Sequence, residues 1–330
     1  MDKKKLKLSA SRIKTLKTCS WIYWCNYILK LPNGGNDGSS KGAVVHLVLE
    51  LLLKPKHRKH FNSIIKENHI YGSKVIKRLV IKHANRLRVG DENNLADINK
   101  MTMTALNLDF FCKGADRIVP EEEFTIETED YKITGFIDKL AHYGKSKMTI
   151  TDYKTSKRQF EGDDIDGNIQ AFMYSLYVYK KYGVIPEVTF LFLKFPEAPE
   201  IKPKTCTQEE LSGFESYLTY LKDYLANFDI YKATANYAAD NPDMKWLCGF
   251  ARTKGELKKD GSVKWQCPLK YETNYYALID LKTEEVLKTS LKRKDLVEKE
   301  GTKVHFLRYF GCPKYGNKLT YKFKNTESKF

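Results

Sequence analysis

Apolar and polar positions change period along the chain, and the changes divide it into blocks. Leu8-Ser9-Ala10-Ser11-Arg12-Ile13 reads as a serine cap opening a short helix. Residues 18–31 are dense in aromatics (Trp21, Tyr23, Trp24, Tyr27), and residues 32–40 form a Gly/Asn/Ser loop. The spacing predicts a helix from about Lys41 to Leu53, stopped by Pro55. Residues 56–115 keep helical spacing interrupted at Gly72 and Gly90, which makes them a helical insertion. The period then shortens. Glu123 to Glu127 and Tyr131 to Leu140 read as a hairpin, with Lys147 to Lys154 as the next strand. Asp166 to Tyr182 is an amphipathic helix and Pro186 to Phe195 an apolar strand. Lys204 to Tyr231 is a helix opened by a Thr-x-x-Glu box at Thr207 and Glu210. Tyr275 to Val286 alternates as a hairpin. The expected architecture is an α/β core over residues 1–235 that includes the insertion, followed by a basic, Cys/Tyr-rich C-terminal extension over 236–330 packed on it.

Two features of the strands carry chemistry. Asp138 and Asp152 sit in apolar, β-branched runs, where a carboxylate is costly to desolvate without a cation. Asp152 and Lys154 are two apart, so they project from one face of their strand. Asp138, on the preceding strand, can share an ion with Asp152 if the two strands pair antiparallel. His46 and Glu50 are four apart on one helix, as are Gln170 and Tyr174 on another. Gly42, one turn before His46, lets that helix approach a neighbour closely. Paired carboxylates beside a lysine describe a site for Mg²⁺ or Mn²⁺ and suit phosphodiester hydrolysis.

Composition supports a polyanionic partner. The 330 residues carry 57 Lys+Arg against 41 Asp+Glu, a formal charge of +16, which places nucleic acid ahead of an acidic membrane surface. At 42% hydrophobic residues the chain can bury a core. The most apolar stretch, Val44 to Leu53, is too short to span a membrane. Seven cysteines without a secretory signal point to a reducing cytoplasm, bacterial or phage-infected. No phosphate loop of a helicase motor is present.

The order Gly42-x-x-x-His46, Gly135-Phe136-Ile137-Asp138, Asp152-x-Lys154 and Gln170-x-x-x-Tyr174 resembles the RecB-type branch of the PD-(D/E)XK nuclease superfamily over roughly residues 8–182. The resemblance implies a restriction-endonuclease-like core, a mixed sheet flanked by helices. It also implies His46, Asp138, Asp152 and the main-chain carbonyl of Tyr153 as metal ligands. Lys154 would position or deprotonate the attacking water, or stabilise charge. Gln170 and Tyr174 would contact DNA near the scissile phosphate or shape the pocket around Lys154. A histidine ligand favours Mn²⁺ at least as much as Mg²⁺. Glu50 stays open between second ligand, partner of His46 and solvated face; Glu123 reads more readily as part of a solvated acidic turn. The implied function is a metal-dependent DNA exonuclease working at single- or double-stranded ends in recombination, repair or phage DNA processing. A separate helicase or recombinase would be its partner. The alternatives are a catalytically silent DNA-binding module and a CRISPR-adaptation-type nuclease.

Some nucleases of that branch hold a 4Fe–4S cluster with one cysteine before the core and three after it. Cys19, Cys248, Cys267 and Cys312 are the candidates here, for Fe–S or Zn²⁺, against a reading as free thiols. The gaps are longer than the family's and lack a C-terminal Cys-x-x-Cys. Cys112 and Cys206 read as structural. The tail from Lys254 to Lys324 interleaves lysines with Trp265, Tyr271, Tyr275, Tyr276, Tyr309, Phe310, Tyr315 and Tyr321. That pattern reads either as a track for a nucleic-acid strand or as the core of a β-rich extension with a wet face.

Overall fold

The fold is taken from a computed structural model in which residues 7–32, 36–249 and 267–315 are described. They group into two compact units. The first comprises residues 7–10 and 36–225, and the second 11–32, 226–249 and 267–315. This division differs from the expected boundary near residue 235, because the aromatic segment 11–34 joins the C-terminal residues.

The first unit is built on a mixed six-stranded sheet: β1 (Lys7–Leu8), β2 (Arg117–Glu127), β3 (Lys132–Tyr143), β4 (Lys147–Lys154), β5 (Glu187–Phe192) and β6 (Glu200–Ile201). Along the sheet the order is β1-β3-β4-β5-β6, with β2 on the other edge of β3. β2 pairs antiparallel with β3 along nearly its whole length, from Arg117↔His142 to Glu127↔Lys132. The opposite edge of β3 is divided. β1 takes Lys132 and Ile133, and β4 takes Lys139 to Tyr143. Residues 134–138 lie between them without a ladder partner on that edge. β4 continues beside β5 in parallel as far as Lys154↔Phe192, so β3 and β4 part after the pair Lys139↔Thr151. The sheet forks there.

Helices flank the sheet. α1 (Asp37–Leu53) opens with a capping box between Asn36 and Ser39, so it starts earlier than its hydrophobic run. Hydroxyl and amide side chains satisfy the orphan amides that an apolar pattern cannot reveal. The insertion folds as α2 (Phe61–Glu67), α3 (Lys74–Arg86) and α4 (Glu92–Leu106) with short turns between them. Its apolar faces, including Ile64, Ile76, Val80 and Ile98, share one core with Val45, Leu49 and Leu52 of α1. α5 (Ile169–Tyr182) is capped by Asn168, whose side chain accepts from the amides of Gln170 and Ala171, and it ends at Gly183 in the left-handed region. α6 (Gln208–Ala226) carries the box expected of Thr207 and Glu210, each accepting from the other's amide. Phe172 of α5 stacks on Phe214 of α6 at 5.3 Å between ring centroids.

The second unit contains the helix Ala10–Thr18 from its second residue on, the helix Ser20–Tyr23 and a three-stranded antiparallel sheet of β7 (Thr273–Asp280), β8 (Val286–Ser290) and β9 (Thr302–Tyr309), in the order β8-β7-β9. Trp21, Cys25, Tyr275, Ala277 and Tyr309 form its core, and Trp21 Nε1 donates to the Tyr309 hydroxyl at 2.7 Å. Two tail aromatics, Tyr275 and Tyr309, are thus core residues, while Tyr315 is exposed. Tyr276 packs against Phe306 across the β7–β9 ladder. Lys254, Trp265, Tyr321 and Lys324 lie outside the described residues. Among the described residues no helix is long and apolar enough to cross a membrane.

Candidate active site

The fork between β3 and β4 is where the polar side chains gather. Continuing the register one step past Lys139↔Thr151 would set Asp138 opposite Asp152. The chains separate instead, and the Tyr153 amide donates to Asp138 Oδ2 at 2.7 Å. The carboxylate thereby replaces a strand carbonyl at the point of parting. Asp138 Oδ1 lies 3.1 Å from His46 Nδ1 on α1. Gly42 permits that approach of α1, since a Cβ there would fall 2.6 Å from Thr155 Oγ1.

Asp152 is buried, and each oxygen has its own environment. Oδ1 accepts from Gln170 Nε2 at 2.8 Å and contacts the Tyr174 hydroxyl at 2.7 Å. Oδ2 makes no well-formed hydrogen bond and touches only Lys154 Nζ, at 2.6 Å. Gln170 also accepts from Lys154 Nζ at 2.6 Å, so its amide braces both catalytic candidates. The Tyr174 hydroxyl accepts from Gln170 Nε2 at 2.5 Å and has one proton to share between Asp152 and the Phe136 carbonyl 2.8 Å away. Lys154 also lies over the Phe190 ring at 5.1 Å.

One participant escaped the sequence reading. Glu121 faces Asp138 across the β2–β3 ladder, between the pairs Pro120↔Lys139 and Glu122↔Ile137. Its φ is +47°, a strained value for a residue with a side chain. Ligand atoms of His46, Glu121 and Asp138 all lie within 4.8 Å of one another. The acidic run 121–123 was visible in sequence, but which member meets Asp138 depends on register. Glu50 instead pairs with Lys54, four residues on.

The charges of the site are frustrated. Burial pushes the Asp152 carboxyl up, with Asp138 adding and Lys154 opposing. Burial also raises the Glu121 carboxyl, reinforced by Asp138 and Glu50. Burial disfavours the His46 imidazolium, yet the hydrogen bond and charge of Asp138, with Asp152 and Glu121, outweigh it and raise its pKa. Burial, then the Asp152 and Asp138 charges, hold the Tyr174 phenol well above its ordinary value, so it stays a donor. Three carboxylates from adjacent strands and one imidazole, short of positive charge, fit a divalent cation with oxygen-rich ligation. The surrounding cleft holds about 660 Å³.

The four candidate cysteines all belong to the second unit. Cys19 and Cys312 are buried, and Cys248 and Cys267 half-buried; the Cys267 amide donates to the Cys248 carbonyl at 3.2 Å. They are close enough that each of Cys19, Cys267 and Cys312 senses the others or Cys248. Burial pushes the Cys267 thiol up to about 11 and that of Cys312 up to about 12. Buried Cys25, outside the expected set, borders the same group and lies 3.6 Å from the Tyr309 hydroxyl. Among the described residues no three of these sulfurs come within 4.8 Å of one another. Cys112 is buried in the first unit, and Cys206 is half-buried there.

Among the solved structures that resemble the chain, two share 12% identity with it. "Putative exonuclease" from Eubacterium rectale matches 67% of this chain and 80% of its own, with a TM-score of 0.41. Protein VC1899 from Vibrio cholerae matches 62% of this chain and 59% of its own, with a TM-score of 0.22. No curated protein matches by sequence. The sequence pattern of the PD-(D/E)XK nuclease superfamily matches residues 7–249, a span that contains the fork and every side chain that meets there. The chain belongs to the PD-(D/E)XK nuclease superfamily.

Proposed function

We propose that the protein is a metal-dependent deoxyribonuclease of the RecB-type branch, hydrolysing phosphodiester bonds at DNA ends. The observation that carries this reading is the fork, where Asp138, Asp152 and Lys154 meet His46, Glu121, Gln170 and Tyr174. His46, Glu121, Asp138 and Asp152 would hold Mn²⁺ or Mg²⁺, which supplies a polarised water at neutral pH. The chain's own residues supply the rest. Gln170 and Tyr174 orient the Asp152 carboxylate, and Gln170 steers the Lys154 ammonium to the same point. Lys154 as the ammonium places a fixed positive charge where phosphate charge accumulates, or, having first given up a proton to solvent, takes the proton of the attacking water as the neutral amine. The ordered RecB-type motifs support action at ends within recombination, repair or phage DNA processing, with a separate helicase or recombinase delivering the DNA.

The cysteines support a second cofactor. Cys19, Cys248, Cys267 and Cys312 gather in one unit, each close enough to feel another's charge, and we assign them to an iron–sulfur cluster. Iron and sulfide content after anaerobic purification tests that assignment, with Cys19→Ser expected to lose both.

The decisive experiment compares the protein with Lys154→Ala on linear and covalently closed circular DNA, in Mn²⁺, Mg²⁺ or EDTA. Loss of linear DNA alone, dependent on metal and absent in the variant, is expected. Cutting of circles would remove the requirement for ends, and equal cutting by the variant would remove Lys154 from the reaction.

A further inference from the structure

An aromatic ring and two lysines in the same cleft have no role in the chemistry just described. Phe136 is 56% exposed, although it sits on a central strand between half-buried Gly135 and buried Ile137. It belongs to the stretch of β3 that lacks a partner on the β4 edge, and it shares parity with Asp138, so both project from one face. Its backbone is fixed on two sides. The Tyr174 hydroxyl meets its carbonyl at 2.8 Å, and Gly135 lies so tightly on Phe124 that a Cβ would come 2.6 Å from the ring. The fixed backbone holds the exposed ring in one place, inside the cleft beside Asp138, Asp152 and Lys154.

Lys194 follows β5 directly. The Leu193 amide donates to the Lys154 carbonyl at 2.9 Å, which ties this segment beside β4. Lys157 follows β4, and both lysines line the cleft with Phe136. Among the described residues neither has a carboxylate within ion-pair distance, whereas nearby Lys41 is paired with Asp97 at 2.6 Å. Burial and then the Lys41 and Lys157 charges push the Lys194 ammonium down, with Asp97 opposing only in part, so cations outnumber the carboxylate among them. β3, β4 and β5 are successive in the sheet, with β3 and β4 parted at the fork. The ring therefore stands on the β3 side of the Asp152–Lys154 pair, Lys194 on the β5 side, and Lys157 beyond the end of β4 itself. One nucleic-acid strand crossing the strand ends can touch all three.

We propose that Phe136 stacks on an unpaired base while Lys157 and Lys194 hold phosphates of the same strand, so that the cleft takes single-stranded DNA or a frayed end. A paired duplex keeps its base faces inside the stack and offers the ring nothing to cover. The inference rests on the nuclease reading of this cleft and adds the form of the substrate.

The test measures binding in EDTA, without cleavage, by anisotropy of labelled single-stranded and blunt duplex oligonucleotides over a salt series. Phe136→Ala is expected to weaken single-strand binding about 5- to 160-fold, the range for loss of one base–aromatic stack, with an unchanged salt slope and unchanged duplex binding. Phe136→Trp restores it. The Lys157→Ala/Lys194→Ala double variant is expected to lower the single-strand salt slope by about 1.4, two phosphate contacts at about 0.7 each. Wild-type single-strand affinity in Phe136→Ala, or an equal loss on both substrates, overturns the stacking role. An unchanged slope in the double variant overturns the phosphate role. A protein that binds and cuts DNA but is indifferent to these changes leaves the nuclease reading intact. One that neither binds nor cuts removes that reading as well.

Discussion

Replacing Glu121 by glutamine separates a metal ligand from an ordinary strand carboxylate, because the two make opposite predictions without metal. Ligand atoms of Glu121 and Asp138 come within 4.8 Å. Two unit charges at that distance repel by about 3.5 kcal/mol at an effective dielectric of about 20. Glu121 is half-exposed, so solvent and salt leave about 1–2 kcal/mol of that. His46, whose pKa is raised by these carboxylates, offsets part of that repulsion while it is protonated, so the gain grows as pH rises through its titration. The metal-free variant should then melt higher than the wild type by about 2–8 °C, at about 2–4 °C per kcal/mol for a unit of this size. Relief of the strained φ of +47° is not part of that gain, since the backbone is unchanged. With Mn²⁺ the order reverses. The wild type gains about 2.7 kcal/mol at a hundredfold excess over Kd, while the variant, lacking one charged ligand, gains little. Thermal denaturation followed by circular dichroism across a Mn²⁺ titration reads both effects. A variant that melts at or below the wild type in EDTA and keeps the full Mn²⁺ response refutes the reasoning.

Tyr174→Phe removes a hydroxyl shared by Asp152, Gln170 and the Phe136 carbonyl, and should cost about 1–3 kcal/mol in urea denaturation while lowering the rate of cleavage. An unchanged denaturation midpoint would show that water replaces the hydroxyl. Gly42→Ala gains about 1 kcal/mol of helix propensity but drives a methyl to 2.6 Å from Thr155 Oγ1, an overpacking cost of about 1–3 kcal/mol. It should therefore destabilise alone and stabilise together with Thr155→Ala, and a double-mutant cycle of denaturation free energies measures that coupling. Glu122 is held below its ordinary pKa: burial opposes this, but the Lys181 ammonium and Tyr177 hydroxyl outweigh it. A depressed folded pKa means stability present above the ordinary carboxylate range and lost as pH falls through the folded value. Melting temperature against pH should accordingly fall less steeply on the acid side in Glu122→Gln than in the wild type.

Local patterns carried far into the structure. The strand Lys147–Lys154 has its expected ends, because its alternation is bounded by turn residues and its last residue begins the fork. The Thr207–Glu210 box marked a helix start to within a residue, since both of its hydrogen bonds are local. The start of α1 and the extent of the β2–β3 hairpin were less legible, because a side-chain cap and ladder bonds rescue residues that hydrophobicity alone leaves out. Glu121 was hidden for a deeper reason. Three consecutive glutamates are equivalent in sequence, and only the register across β3, with a positive φ, selects one. The grouping of residues 11–34 with the C-terminal third was announced only by the cysteine resemblance, which sets Cys19 with Cys248, Cys267 and Cys312, since nothing local in Trp21 or Cys25 announces partners such as Tyr309.

That last grouping has a consequence for how the protein is made. Most of the first unit, residues 36–225, is threaded as one long excursion between two portions of the second. On a ribosome, Trp21 emerges 288 residues before Tyr309, its hydrogen-bond partner. At about 5–20 residues per second that is a wait of roughly 15–60 s, during which Trp21, Tyr23 and Cys25 have no completed core to enter. The sheet-bearing unit can close on itself meanwhile, but its early neighbour cannot. Nascent chains stalled before β7 should therefore be the aggregation-prone species, and a chaperone that shields the aromatic segment 18–31 would raise the yield more than one acting on the finished chain.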